Sequence, residues 1–429
     1  MKNNVRYVKP VKHVRARVSL PGSKSITHRA LMMASLAAGP SEIRNPLVAE
    51  DTHLTAKALE QLGATIQWRE NSVLVNPPKY RWSQPAGPIF LGNSGTSTRF
   101  LIALVSAGTG TFTLDGIPRL RERPVGPAAE ALQALGVSIR WLGQTGFPPV
   151  EVTSTGLSGG DVAVDASRSS QFLSGLLLAA PTARKEMRIT WPEPAASFPY
   201  VAMTLGMMQN AGIRFERTAS NHISIPAPQV YAPGSVTVEG DCSTASYFWG
   251  AAAVTGGEIV TSPITSKSLQ GDCRFLGVIA KMGCRIDWEP EAVRVTAPSH
   301  LQAVDMDMNE MPDMVPTLAV LAAFADGVTR IRNVAHLRIK ESDRLAAVAV
   351  GLKMLRVDVE ELEDGLVIRG GNPSAPSAPI PARNDHRIAM AFALAGLRLD
   401  GVAIEGADSV AKSFPEFWSY FDSLEDESL

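Results

Sequence analysis

The sequence has little cysteine, almost no net charge and no long apolar run, and each shortage narrows what the protein can be. Its three cysteines, Cys242, Cys273 and Cys284, cannot all pair, and none sits in a Cys-x-x-Cys spacing. They read as reduced apolar fillers, and with no histidine cluster beside them they predict no metal site. Lysine plus arginine (41) nearly cancels aspartate plus glutamate (42). A general nucleic-acid or membrane-surface binder would carry a basic excess, so neither partner is expected. The longest apolar stretches, such as 172–180 and 315–325, run to about ten residues, too few to span a bilayer. Met1–Val14 is polar and basic and does not read as a secretory signal. The common nucleotide loops are missing too. Pro21-Gly-Ser-Lys-Ser25 lacks the Gly-x-x-x-x-Gly-Lys-Ser/Thr pattern, and no Gly-x-Gly-x-x-Gly opens a βαβ unit. A cytoplasmic protein remains, and its 429 residues, 45% apolar and 19% charged, suffice for two or three domains.

What is there, above all, is repetition. A helix-like segment ending in glycine and a β-branched stretch recurs at Gly63, Gly136, Gly212 and Gly283, and once more at Arg356, in steps of 73, 76, 71 and 73 residues. The glycine reads as the left-handed residue that closes a helix before a strand. Each repeat also opens alike, with a polar turn before a run rich in Ala and Leu. The openings are at Gly22, Gly92, Ser167, Gly240, Asn309 and Asn384. The runs are apolar nearly all round, which predicts buried helices. The expectation is an α/β fold of six β-α-β-α-β-β units, three to a domain, with helices inside and sheets outside. The chain should cross between domains near Pro21 and Asp241. That makes residues 22–241 one domain and 1–21 with 242–429 the other, with the active-site cleft between them.

Most openings suit an anion, because a helix N-terminus offers free N–H groups and the positive end of its dipole. Lys24, Ser25 and Arg29 stand at the first. Asn93, Gly95, Thr96 and Arg99 stand at the second, Ser169, Ser170 and Gln171 at the third, and Arg387 at the last. Three further segments are more pointed. Arg119-Leu-Arg-Glu-Arg123 packs three arginines into five residues, Lys340, Glu341 and Arg344 form a second cluster, and Asn384-Asp-His-Arg387 abuts an apolar helix. Any one of them reads equally well as a solvated charge cluster. Their recurrence at corresponding places in a repeat favours a shared site.

At these residues the sequence resembles the 5-enolpyruvylshikimate-3-phosphate synthase family of enolpyruvyl transferases. The likeness is carried by Leu20-Pro-Gly-Ser-Lys-Ser25, Leu91-Gly-Asn-x-Gly-Thr96, Arg121-x-Arg-Pro124, Ser169-Ser-Gln-Phe-Leu173, Ile339-Lys-Glu-Ser-Asp-Arg-Leu345 and Asn384-Asp-His-Arg-x-Ala-Met390, in order along nearly the whole chain. The resemblance implies a two-domain inside-out α/β barrel and transfer of the enolpyruvyl group of phosphoenolpyruvate to the 5-hydroxyl of shikimate 3-phosphate. It implies no cofactor, no metal and a monomer. By the same resemblance, Lys24, Ser25, Arg29, Ser169, Ser170, Gln171, Ser197, Asp313, His336 and Lys340 contact shikimate 3-phosphate. Lys24, Gly95, Arg123, Gln171, Arg344, Arg387 and Lys412 contact phosphoenolpyruvate. His336 stands where the family commonly has Asn, Ser94 where it has Ala, and Phe100 where it has Pro. Gly95 is kept, so the pocket is expected to admit glyphosate.

Charge arithmetic agrees. Each substrate carries a phosphate of about −1.5 to −2 and a carboxylate, so the pair brings about −5 to −6. Lys24, Arg29, Arg123, Lys340, Arg344, Arg387 and Lys412 oppose it, less Asp313 and Glu341. Asp313, at the start of a helix, is the expected base for the hydroxyl. For the acid at C3 of the enol, Glu341 and Lys24 both remain open, because Lys340 and Arg344 should hold Glu341 ionised. The enolpyruvyl transferase acting on UDP-N-acetylglucosamine is the nearest alternative, but it carries a reactive cysteine in the loop that here is Asp115–Pro124, where there is none. A phosphate- or RNA-end-binding module would want a basic surface and no paired acids.

Overall fold

The helices of this chain end where a left-handed residue turns the backbone into a strand. Gly63, Gly136, Gly212 and Gly283 have φ of 102°, 85°, 83° and 105°, and Arg356 adopts 59° in the same place despite its Cβ. The structure, a computed structural model, describes residues 4–79 and 82–424. Residues 1–3 and 425–429 of the domain expected at 1–21 and 242–429, and 80–81 of the one expected at 22–241, lie outside that range, as do the first residues of the segment judged not to be a signal.

A sheet of four strands repeats along the chain. Ile89–Phe90 and Thr109–Asp115 run parallel, and Val150–Thr155 and Ser138–Trp141 extend them antiparallel. Gly160–Ala163, Met187–Thr190, His222–Ile225 and Glu216–Ala219 pair the same way. So do Asp305–Asp307, Val328–Arg332, Gly365–Arg369 and Asp358–Leu362. In chain order each reads β-α-β-α-β-β, the parallel pair being joined by a buried helix.

Two sheets take their first strand from elsewhere. Ser235–Thr237, which precedes helix Cys242–Thr255, pairs with Ser41–Arg44. Arg15–Ser19, which precedes helix Lys24–Ser35, pairs with Glu258–Ser262. Through this exchange the chain divides into two compact units, 24–238 and 1–23 with 239–429. The sixth repeat departs from the expected pattern. Ile380–Pro381 and Ala403–Glu405 form its parallel pair, but the third strand is Val5–Tyr7 from the start of the chain, and helix Phe417–Asp422 follows instead of two more strands.

Each unit has its own core. Helix Cys242–Thr255 buries all 14 of its residues, which explains its apolar circumference. Helices Gly95–Leu104 and Ser170–Ala179 meet at Gly175, where a Cβ would lie 2.6 Å from the Arg99 carbonyl oxygen. The cysteines correct the sequence reading. Cys242 and Cys273 are joined by a disulfide, and only Cys284 is free, buried, with its thiol pushed up to about 12 by desolvation. They lie 31 residues apart, and the fold, not a local motif, brings them together. Among the described residues no helix is long and apolar enough to cross a membrane, and no cluster of His, Cys, Asp and Glu could hold a metal.

Candidate active site

In the unit 24–238, three helix N-termini carry the candidate residues. Ser94 caps helix Gly95–Leu104 by accepting from Ser97 N, and Ser169 caps helix Ser170–Ala179 by accepting from Gln171 N. The Ser169 hydroxyl, read as an anion ligand, therefore acts partly as a cap. Arg123 lies against the first of these turns. Its Nη1 donates to the Asn93 carbonyl at 2.8 Å, and a Cβ on Gly95 would fall 2.4 Å from its Nη2. Glycine at this position leaves the room that the guanidinium occupies. The other arginines of that segment turn away and pair with Asp115 and Glu122 at the surface. Of the three, only Arg123 is buried.

Gln171 is oriented by its neighbours. Its Oε1 accepts from Arg99 Nη1 at 2.9 Å, and its Nε2 donates to Thr96 Oγ1 at 2.9 Å. A guanidinium only donates, so Arg99 fixes which end of the amide faces which way. Arg99 also donates to the Pro124 carbonyl and lies over the Phe172 ring, so it organises the site from behind.

Lys24 and Arg29 both belong to helix Lys24–Ser35. Lys24 Nζ is 3.3 Å from Asp51 Oδ2, and Asp51 is buried in the first turn of helix Glu50–Gln61. Asp51 escaped the sequence reading, because an acid in a first helical turn normally serves only the dipole. Arg29 is buried against Thr204 Oγ1, Ser174 Oγ and the carbonyls of Ser25 and Tyr200, with its guanidinium 5.0 Å from the Phe100 ring centroid. Burial pulls Arg29 down to about 10. Phe100 thus packs under Arg29. Ser197 holds a left-handed φ of 54° just before helix Pro199–Asn210.

In the other unit the charged residues form one network. Arg344 donates through Nε to Asp385 Oδ2 (2.8 Å), through Nη1 to Asp313 Oδ1 (2.8 Å) and through Nη2 to Glu341 Oε2 (2.7 Å). Arg387 Nη2 donates to Asp313 Oδ2 at 2.7 Å. Asp313 thus bridges two guanidiniums with its two oxygens. Burial alone would raise its pKa, but Arg387, then Arg344 and Lys340, overcome it and hold the carboxyl well below its usual range. Burial likewise opposes the charge on Arg344, yet Asp385, Glu341 and Asp313 raise its pKa above the ordinary value.

His336 lies in the 3₁₀ segment Ala335–Ile339, where burial, then Lys340, push it down to about 3 against the pull of Asp313. It is therefore a neutral imidazole, and its buried Nε2 meets no partner among the described residues. Lys412 ends the 3₁₀ segment Ala407–Lys412, which packs on helix His386–Gly396, and is buried. Asp385 was seen in the sequence only as part of a polar cluster. In the structure it caps that helix and anchors Arg344.

Known proteins resemble this chain over nearly its whole length. A family profile described as EPSP synthase (3-phosphoshikimate 1-carboxyvinyltransferase) matches residues 8–421. A 3-phosphoshikimate 1-carboxyvinyltransferase of Syntrophobacter fumaroxidans is 59% identical over 97% of the chain and 99% of its own length. One from Nostoc punctiforme is 42% identical over 96% of the chain and 97% of its own length. Among solved structures, an EPSP synthase from Acinetobacter baumannii superposes with a TM-score of 0.82 at 29% identity, covering 98% of both chains.

Proposed function

The chain belongs to the EPSP synthase family, and from that premise we propose that it transfers the enolpyruvyl group of phosphoenolpyruvate to the 5-hydroxyl of shikimate 3-phosphate and releases inorganic phosphate. The observation that carries the reading is the carboxylate of Asp313 bridged by Arg344 and Arg387. It sets a base, kept anionic, against two cations suited to a carboxylate or phosphate. Each unit is proposed to be the inside-out barrel of the family. The protein is proposed to work as a cytoplasmic monomer without a cofactor.

The proposed substrate contacts are those that the resemblance implies. For phosphoenolpyruvate these are Lys24, Gly95, Arg123, Gln171, Arg344, Arg387 and Lys412. For shikimate 3-phosphate they are Lys24, Ser25, Arg29, Ser169, Ser170, Gln171, Ser197, Asp313, His336 and Lys340. The unmet Nε2 of His336 takes a substrate hydroxyl, as an Asn amide would. In the first step the 5-hydroxyl oxygen bonds to C2 of the enol, its proton passes to Asp313, and C3 receives a proton to become a methyl group. In the second step the methyl loses a proton, the C2–O bond to phosphate breaks and the double bond returns. Overall the hydroxyl proton leaves with phosphate. Cations gathered around the departing phosphate stabilise its charge. Glu341 and Lys24 are the candidates for protonating C3.

Released phosphate, assayed with shikimate 3-phosphate and phosphoenolpyruvate together, tests the proposal. Release with UDP-N-acetylglucosamine and not with shikimate 3-phosphate would reassign the acceptor. Release with neither would end the reading.

A further inference from the structure

We propose that, before substrate arrives, Asp313 occupies the place on Arg344 and Arg387 that the carboxylate of phosphoenolpyruvate takes, so that binding the anion and releasing the base are one exchange. The inference rests on the enolpyruvyl-transfer reading and adds a role that reading does not contain.

The geometry separates a fixed counterion from an exchangeable one. Asp385 is fully enclosed and is held from several sides. It accepts from Ser342 Oγ at 3.0 Å, from Arg344 Nε at 2.8 Å and Nη2 at 3.3 Å, and from the backbone N of Arg387 at 3.0 Å. This clamps one edge of the Arg344 guanidinium and the start of the helix that carries Arg387. The Arg344 guanidinium therefore cannot follow a departing partner. Asp313 sits in a single turn, Pro312–Met314, and its side chain is 20% exposed, against 8% for Glu341 and 0% for Asp385. Of the three carboxylates on Arg344 it is the most exposed.

Two buried guanidiniums cannot give up an anion without another to replace it, because a buried charge left unpaired is strongly destabilising. A substrate carboxylate has the same two-oxygen shape and charge. Once it takes the Nη1 of Arg344 and the Nη2 of Arg387, Asp313 loses the cations that suppress its affinity for protons. The group gains basicity when the electrophile has arrived. The direction of the Asp313 pKa in the empty site agrees with this ordering.

The test is the affinity for phosphoenolpyruvate, measured by titration calorimetry on wild type and on Asp313→Asn, with and without shikimate 3-phosphate. The exchange predicts that the variant binds phosphoenolpyruvate about tenfold more tightly while turnover collapses. Equal or weaker binding would overturn it. If Asp313→Asn does not fold, as judged by circular dichroism, Asp313→Ser is read by the same two outcomes. A wild type that releases no phosphate from the two substrates defeats the functional reading itself. An active wild type with an unimproved variant defeats only the exchange.

Discussion

Gly95 and Arg123 share a space that only one of them can fill: a Cβ on Gly95 would sit 2.4 Å from Nη2 and 2.5 Å from Cζ of the guanidinium. The obstacle is the far end of a flexible side chain, so Gly95→Ala should fold, with Arg123 displaced from the Asn93 carbonyl. We expect KM for phosphoenolpyruvate to rise about tenfold and the affinity for shikimate 3-phosphate to stay within about twofold. Steady-state kinetics varying each substrate in turn decide the point. Equal losses for both substrates would mean that Arg123 is not dedicated to phosphoenolpyruvate.

Ser94 and Phe100, which differ from the common family residues, lie outside that shared space. The Ser94 hydroxyl is engaged with Ser97, and Phe100 is fully buried beneath Arg29. Glyphosate, which carries a carboxylate and a phosphonate, should therefore compete with phosphoenolpyruvate. Inhibition measured at several phosphoenolpyruvate concentrations checks this, and an inhibition constant independent of that concentration would place the herbicide elsewhere.

Arg99 holds the Gln171 amide. Arg99→Leu removes the donor that fixes the amide and leaves the Pro124 carbonyl unmet, so kcat/KM for phosphoenolpyruvate should fall about ten- to a hundredfold. Arg99→Lys keeps a donor and should recover part of the loss. If Gln171→Leu in the Arg99→Leu background costs as much as it does alone, the two residues act independently and the positioning role is wrong.

The repeat itself was legible because its signal is local. A glycine at a helix end and a β-branched stretch after it say the same thing wherever they recur, and Arg356 shows that the backbone keeps its path even when the glycine is lost. The sixth repeat misled because its third strand, Val5–Tyr7, comes from the far end of the chain, and no local pattern announces such a pairing. The same distance hid the Cys242–Cys273 bond. The residues proposed to face substrate sit in recognisable motifs, whereas some that hold them in place do not. Asp51 looks like an ordinary helix residue and Arg99 like one more anion ligand, and only the fold sets them against Lys24 and Gln171. Arg119, Arg121 and Arg123 could not be told apart by charge or spacing, since burial alone separates them.

His336 makes the stability of its unit depend on pH in a direction that can be worked out. Its usual pKa of 6.5 falls to about 3 in the folded protein, chiefly through burial, with Lys340 adding and Asp313 opposing. Above the unfolded value both states are neutral and the residue contributes nothing to the pH dependence. As pH falls from 6.5 towards 3, the unfolded chain takes up a proton that the folded chain refuses, so stability is lost through that window. At pH 5 the loss is about 2 kcal/mol, from the spacing of the two pKa values. His336→Asn cannot take up the proton. Urea unfolding of wild type and variant at pH 7.5 and 5.0 should therefore show wild type losing about 2 kcal/mol more than the variant, every other titrating group being common to both. Parallel losses would mean that the imidazole is already charged in the folded protein. A charged imidazole beside Asp313 would be a further cation in the site and not a neutral partner for a hydroxyl.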